Sequence, residues 1–341
     1  MSVLDQDLER AEAAARDLAG APVEVNRLAA GGRNSRIWRV KSGGRDFALK
    51  EYPSRRDDPR NRLATEVGAL QLMARHGIVT VPRVVGADRA RGYVLMSFIE
   101  GGPVGVVGDT DIDAAVAFLA AIHGLRGTPE ALSQPFAAEA CLSGAEVERQ
   151  IAARLERLRQ DAPGEAALMA FLDGAVTPEF ARLCAAAVAG MAAAGLDFSA
   201  ELPQVWRSLV PADFGFHNSL RRGDGSLMFV DFEYFGWDDP VKLVADILLN
   251  PGHTLARPQR ARFRQAARQL YGRASGFEAR LGAYLPLFGV RWVLIILNEF
   301  LPERWRRRVL AGHAGDWADA KAKQLAFARE FLATLPQKVE G

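Results

Sequence analysis

The interpretation of this chain depends on residues 210–240, which read V-P-A-D-F-G-F-H-N-S-L-R-R-G-D-G-S-L-M-F-V-D-F-E-Y-F-G-W-D-D-P. Residues 219–221 are predicted to form a short strand that enters a turn, and the Asp-Gly pair in that turn is a strong hairpin signal. The apolar return strand, 227–230, ends on Asp231. Because a short hairpin brings its two ends back together, Asp231 is predicted to lie beside the loop that precedes the first strand.

Three polar residues meet at that end of the predicted hairpin, namely Asp213, Asn218 and Asp231. Carboxylate and carboxamide oxygens are the hard ligands that Mg²⁺ prefers when it also holds phosphate oxygens. We therefore predict Asn218 and Asp231 as metal ligands, and Asp213 as the group that orients or deprotonates an attacking hydroxyl. The alternative is that these are unrelated acids and amides, which are common at turns.

A small sheet is predicted upstream, with strands at 23–29, 36–40 and 46–52 and two more at 82–87 and 92–97. The loop between the first two strands contains Gly31, Gly32, Asn34 and Ser35. Glycines let backbone N–H groups approach phosphate oxygens closely, and Asn34 and Ser35 add side-chain donors. The sequence therefore indicates a phosphate-binding loop, with a plain hairpin turn as the alternative.

Lys50 lies in the third predicted strand, and Glu66 lies on a helix predicted over 59–76 that could face it. An ion pair between them would orient the lysine. The alternatives are an edge-strand lysine that reaches solvent and a solvated helix acid paired with Arg62 four positions earlier. Met96 and Phe98 lie where the last strand ends, in the segment that we interpret as the connector to the rest of the chain.

The order of these signals resembles that of protein-kinase-like phosphotransferases, and most closely the aminoglycoside phosphotransferase and choline kinase branch. The resemblance covers roughly residues 28–246, and Asp-Phe-Glu at 231–233 can stand where protein kinases carry Asp-Phe-Gly. It implies that Lys50 contacts the α- and β-phosphates of ATP and that Met96 and Phe98 surround the adenine. One departure is Pro211, at a position where kinase-like loops usually carry His.

The implied fold is α+β, a two-lobed protein-kinase-like architecture with a small antiparallel sheet and one main helix in the first lobe. The predicted domains are an N-terminal helix (1–20), a nucleotide-binding lobe (21–98) and a mostly helical lobe (99–341). Further helices are predicted at 111–125, 144–159, 178–194, 257–271, 276–287, 290–300 and 315–332. The first helix, over 4–18, is interpreted as an appendage.

Composition narrows the class of protein. A net charge of +2 gives no reason to expect a nucleic-acid or membrane partner, and 49% hydrophobic residues are ordinary for a globular chain. Two cysteines without metal-ligand spacing and an N-terminus without an apolar core predict a cytoplasmic protein. The apolar segment 281–301 contains charged residues, so a buried helix explains it better than a bilayer span.

The resemblance implies a kinase that uses ATP and Mg²⁺ to phosphorylate a hydroxyl of a small molecule, such as a sugar, an amino alcohol or an aminoglycoside-like compound. The sequence leaves the acceptor, ATP against GTP, a resistance or metabolic role, and the oligomeric state open. A catalytically silent, nucleotide-binding regulatory pseudokinase is the alternative. Candidates for the acceptor site are Glu233, Trp237, Asp239 and Glu299, since acids and aromatics suit a cationic compound.

Overall fold

The computed structural model describes residues 3–28, 36–53, 60–273, 276–310 and 315–340. The chain divides into two compact units. Unit 1 consists of residues 1–138 and 209–237, and unit 2 of residues 139–208 and 238–341. Unit 1 therefore contains the predicted nucleotide-binding lobe together with residues 99–138 and the hairpin that follows Asp213.

The described residues of unit 1 form a five-stranded antiparallel sheet of order β1-β2-β3-β5-β4, a short three-stranded sheet of order β6-β8-β9, and four α-helices. The helices are α1 (Val3–Ala19), α2 (Arg62–Arg75), α3 (Asp109–Gly124) and α4 (Pro129–Leu132). The strands are β1 (Glu24–Arg27), β2 (Arg36–Ser42), β3 (Arg45–Glu51), β4 (Val84–Asp88), β5 (Tyr93–Ser97), β6 (Gly102–Pro103), β7 (Ser208–Val210), β8 (Ser219–Arg221), β9 (Leu227–Phe229) and β10 (Gly236–Asp238), of which β7 pairs with β10.

Helix α1 is part of the core and not the appendage that the sequence suggested. Its alanines Ala11, Ala14 and Ala15 are fully buried and belong to one hydrophobic cluster with sheet residues such as Trp38 and Leu49. Small side chains every three or four residues let the helix lie close to the sheet. Because side chains alternate along a strand, the neighbour of Leu49, Lys50, points to the opposite face of the sheet.

Helix α2 begins at Arg62, with the Asn61 side chain accepting the backbone N–H of Ala64 at 3.3 Å. An asparagine at this position satisfies a donor that the first turn of a helix leaves unpaired. Pro59, where the sequence predicted the helix to start, lies outside the described residues. Gly77 follows the helix end with a φ of +73°, the left-handed conformation that ends many helices.

The predicted hairpin after Asp213 is present as β8 and β9, with Leu220 opposite Met228. Beneath it, the rings of Phe118, Phe214 and Phe229 pack together, with centroids 4.5–5.5 Å apart. Phe118 belongs to α3, so this aromatic group joins the loop after Ala212, the hairpin and a helix in one core. Stacked aromatic rings of this kind add to the stabilisation from burial.

Unit 2 is helical in the part that the structure describes. Its helices are α5 (Gly144–Asp161), α6 (Ala166–Phe171), α7 (Thr177–Ala193), α8 (Pro240–Leu249), α9 (Arg257–Tyr271), α10 (Phe277–Ile296), α11 (Pro302–Leu310), α12 (Trp317–Ala333) and α13 (Leu335–Glu340). One turn of π-helix, Leu172–Val176, joins α6 to α7. The central helix is α10, which contacts α5, α7, α8 and α12.

Helix α10 is continuous, whereas the sequence predicted two helices with a break at 288–289. Pro286 and Gly289, residue types that often interrupt helices, both lie inside this helix. A Cβ on Gly289 would lie 2.2 Å from a methyl of Leu335, so this glycine allows α13 to pack closely. Burial of most of the helix offsets the hydrogen bond lost at Pro286.

The same helix, extended to Phe300 by a 3₁₀ turn, is the one described helix long and apolar enough to cross a membrane by length and composition alone. Its most apolar part has a mean hydropathy of 1.6, and 67% of that part is buried inside the folded chain. The core helix of a folded protein meets the same criteria, so length and composition are weak evidence for a membrane span.

Candidate nucleotide site

Lys50 is the centre of a buried charge cluster in unit 1. Its ammonium lies 2.6 Å from Glu66 Oε2, 2.7 Å from Asp231 Oδ1 and 3.4 Å from Glu233 Oε2. Lys50 is 3% exposed, so the three carboxylates replace water as its partners. Burial opposes the ammonium charge, but Asp231 and Glu66 outweigh it and raise the pKa of Lys50 well above its usual value.

Glu66 is held by more than the lysine. It accepts hydrogen bonds from the Tyr52 hydroxyl at 2.5 Å and from the backbone N–H of Phe232 at 3.2 Å. The ion pair with Lys50 that the sequence predicted is therefore present. Tyr52, two residues after Lys50, was missed, although alternation along an extended chain sends residues i and i+2 to the same side. Burial of the Tyr52 hydroxyl, and then the negative charge of Glu66, raise the pKa of Tyr52 well above its usual value.

Asp231 has a left-handed backbone, with a φ of +70°, which is unusual for a residue other than glycine. Such a conformation costs about 1–3 kcal/mol and is found most often at functional sites. The Asp231 side chain is 31% exposed although it contacts Lys50, so one part of the carboxylate faces solvent. Burial and the charge of Glu66 raise its pKa, against the opposing effect of Lys50.

The loop that carries Asp213 is organised by Asn218. The Asn218 Nδ2 donates to the backbone carbonyl of Asp213 at 2.8 Å, and the Asn218 carbonyl accepts from the N–H of Val230 at 3.0 Å. These two bonds place the loop next to the residue before Asp231, so the three predicted polar residues come together. Ala212, immediately before Asp213, has a φ of +63° and is the second strained position here.

The Asp213 side chain is 41% exposed, and one of its oxygens lies 3.2 Å from Nε2 of His217. The ring of His217 therefore lies against the carboxylate of Asp213, while Pro211 holds the position where kinase-like loops usually have a histidine.

The donor set suits a divalent cation. Asp231 offers a carboxylate that is partly open to solvent, and Asn218 has its Nδ2 engaged with the backbone, which leaves the carboxamide oxygen as the acceptor. Both are hard oxygen ligands of the kind that bind Mg²⁺. Carboxylate oxygens of Glu66, Asp231 and Glu233 also lie within 4.8 Å of one another, but the ammonium of Lys50 contacts all three.

Met96 lies in β5 and Phe98 directly follows this strand, in the segment predicted as the connector. Met96 is 6% exposed and pairs with Ala48 of β3. The backbone N–H of Phe98 donates to the carbonyl of Asp46 at 3.4 Å, and its ring lies 4.4 Å from the guanidinium carbon of Arg39. The predicted phosphate-loop residues Gly31, Gly32, Asn34 and Ser35 lie outside the described residues.

The four candidates for the acceptor site have structural partners. Glu233 is 1% exposed and pairs with Arg62 at 2.6 Å. The Trp237 indole donates to the carbonyl of Ala131 at 3.0 Å. In unit 2, Asp239 caps α8 and contacts Arg280 at 2.8 Å, and Glu299 is buried in a pair with Arg308. The predicted alternative that Arg62 partners Glu66 is replaced by the longer-range pair with Glu233.

Comparison with known proteins identifies the relatives. The family model described as "Phosphotransferase enzyme family" matches residues 24–282, which is most of the chain. No curated protein sequence gives a significant match.

Solved structures with this fold include three small-molecule kinases. The choline kinase of Streptococcus pneumoniae is 16% identical, with a TM-score of 0.55, and the match covers 98% of this chain and 100% of that one. The ethanolamine kinase of Plasmodium vivax is 12% identical, with a TM-score of 0.56 and coverages of 90% and 82%. A spectinomycin phosphotransferase, solved with ADP and spectinomycin, is 11% identical, with a TM-score of 0.58 and coverages of 89% and 94%. At these identities, the structures share the protein-kinase-like α+β fold with this chain.

Proposed function

We propose that this chain moves the γ-phosphate of ATP to a hydroxyl group with the help of Mg²⁺. The premise is that the chain belongs to the phosphotransferase enzyme family and is a small-molecule phosphotransferase. The observation that supports this most is the cluster of Lys50 with Glu66 and Asp231 beside the loop of Asp213 and Asn218. A lysine, two metal-binding residues and a base are the parts that phosphoryl transfer requires.

Each residue has a role that follows from its position. Lys50, held by Glu66, supplies positive charge to the phosphates of the nucleotide, and Asp231 with Asn218 would hold Mg²⁺. When bound, Mg²⁺ offsets negative charge on the phosphate oxygens. Asp213, the most exposed of these acids, orients the acceptor hydroxyl and accepts its proton. His217, 3.2 Å away, restrains the Asp213 carboxylate.

The acceptor is proposed only as a class, a small molecule that carries a hydroxyl group. The relatives named above include kinases of choline, ethanolamine and spectinomycin, all of them cationic nitrogen compounds with hydroxyl groups. A panel of amino alcohols, sugars and aminocyclitols is therefore the rational starting point. Each compound would be incubated with MgATP and scanned by mass spectrometry for the addition of one phosphate.

Asp213→Ala is the control variant for this screen. Since a positioned base typically contributes about 10²- to 10⁴-fold, we expect turnover of the identified acceptor to fall by that factor, while MgADP still binds with the affinity of the unchanged protein. Turnover that survives in Asp213→Ala would remove this residue from the mechanism. Binding of MgADP without transfer to any hydroxyl compound would favour the pseudokinase alternative.

A further inference from the structure

Helix α2 is attached to the 231–233 segment at two points one helical turn apart. At the first point, Glu66 accepts the backbone N–H of Phe232 at 3.2 Å. At the second point, Arg62 Nη1 lies 2.6 Å from Glu233 Oε1, with 2% and 1% of the two side chains exposed. Residues four apart lie on the same face of a helix, so Arg62 and Glu66 meet the same segment.

Two attachment points restrict a helix more than one does. The buried apolar face of α2 packs the helix into unit 1, and the Glu66 contact joins its first half to the 231–233 segment at one side chain. The Arg62 contact adds a second point on the same segment one turn away, which further restricts the position of the Glu66 carboxylate relative to Lys50. Glu233 also lies 3.4 Å from Lys50, so the second attachment reaches the same ammonium.

Stability alone gives a weak reason for this pair. Removing two charges from water is costly, and a buried ion pair can often be replaced by apolar residues without loss of stability. An ion pair fixes the relative position of its two groups, because a charged hydrogen bond is satisfied only in a narrow geometry. The Arg62–Glu233 pair thereby fixes the position of Glu66 relative to Asp231, and both of these acids contact Lys50.

We propose that Arg62 and Glu233 are positioning residues of the nucleotide site, which hold α2 so that Glu66 keeps Lys50 in place for the phosphates. This inference rests on the proposed function, since it assumes that Lys50 meets a nucleotide. It gives Glu233 a role in nucleotide binding in place of the acceptor role that the sequence suggested.

The test compares Arg62→Met, Glu233→Gln and the double variant Arg62→Met/Glu233→Gln by urea unfolding and by calorimetric titration with MgADP. Arg62→Met leaves the Glu233 carboxylate with less compensation, so it should unfold at a lower urea concentration. The double variant removes both charges and should recover most of this loss. MgADP affinity should nevertheless stay about tenfold weaker in the double variant, as is typical when residues that orient a ligand's direct contacts are lost.

The double variant separates positioning from electrostatics. The double variant removes one positive and one negative charge that lie 2.6 Å apart, so it leaves the net charge around Lys50 unchanged. Weaker binding in this variant is therefore not explained by a change in net charge and points to the lost attachment. The matched control is the Arg221–Asp111 pair of unit 1, with two contacts of 2.8 Å, and Arg221→Met/Asp111→Asn should leave MgADP affinity unchanged.

Three results are decisive. If the double variant binds MgADP as tightly as the unchanged protein, the pair is only structural and the positioning role is wrong. If the unchanged protein itself fails to bind MgADP, the proposed function falls, and the inference falls with it. A double variant that regains its stability but not its affinity establishes the positioning role.

Discussion

Replacing Lys50 with Met would remove the only cation that contacts all three carboxylates of the cluster within the described residues. Glu66, Asp231 and Glu233 would remain, with carboxylate oxygens within 4.8 Å of one another. Arg62 would still compensate Glu233. Removal of one partner of a buried ion pair costs about 3–5 kcal/mol of unfolding free energy. Because Asp231 is 31% exposed and can recruit water, we expect a loss near the lower end, about 3 kcal/mol.

The loss of unfolding free energy in Lys50→Met should depend on pH, because the acids left in the cluster titrate. Burial and the charge of Glu66 already raise the pKa of Asp231 against the opposing effect of Lys50, so removal of Lys50 should raise this pKa further. A group with a raised pKa in the folded state stabilises the fold at low pH and less as pH rises through that value. The difference in stability between Lys50→Met and the unchanged protein should therefore be smaller at pH 5 than at pH 8.

Urea unfolding followed by circular dichroism at both pH values measures these effects. Lys41→Met is the matched control, since Lys41 is an exposed residue of the neighbouring strand β2, and it should leave stability nearly unchanged. Lys50→Met/Glu66→Gln should regain part of the loss at pH 8 because one negative charge is removed. If Lys50→Met unfolds at the same urea concentration as the unchanged protein at pH 8, Lys50 does not stabilise the fold by compensating these carboxylates.

Two further predictions concern other parts of the chain. Gly236→Ala should destabilise unit 1 by about 3 kcal/mol, because a Cβ there would lie 2.4 Å from backbone atoms of Pro135 and Ala137. Gly105→Ala, with no atom within 4 Å of the added Cβ, should change the thermal midpoint little. In unit 2, burial opposes ionisation of Glu139, but Arg154 and Arg291 outweigh it and lower its pKa from 4.5 to about 2. A lowered pKa stabilises the fold above pH 4.5, and this contribution is lost as pH falls through about 2. Glu139→Gln should make the free energy of unfolding depend less steeply on pH between about 2 and 4.5. The effect should be modest, since the carboxylate is 40% exposed. An unchanged pH dependence would contradict the pairing of Glu139 with Arg154 and Arg291.

The sequence predicted those features that depend on local pattern. Alternation placed Lys50 on a strand, helical spacing placed Glu66 on α2, and the Asp-Gly turn placed the β8–β9 hairpin. These signals act over a few residues and are read from the chain directly. The ion pair between Lys50 and Glu66 follows once a strand and the next helix pack together.

Contacts between distant residues could not be predicted in the same way. Arg62 and Glu233 are 171 positions apart, and a nearer acid, Glu66, offered Arg62 an equally plausible partner. The packing of α1 on the sheet and the continuity of α10 through Pro286 were missed for a related reason. In both cases the surroundings in the folded chain, rather than local preference, decide the outcome.

The division of unit 1 into two pieces of chain has a consequence for its synthesis. Residues 139–208 separate the piece with Lys50 and Glu66 from the piece with Asp231 and Glu233. At a translation rate of about 5–20 residues per second, the ribosome begins the second piece roughly 4 to 14 seconds after it finishes the first. Until then, the nascent sheet lacks two of the acids around its buried lysine. A polypeptide that terminates before residue 209 cannot complete this unit, and cellular proteases are expected to remove it.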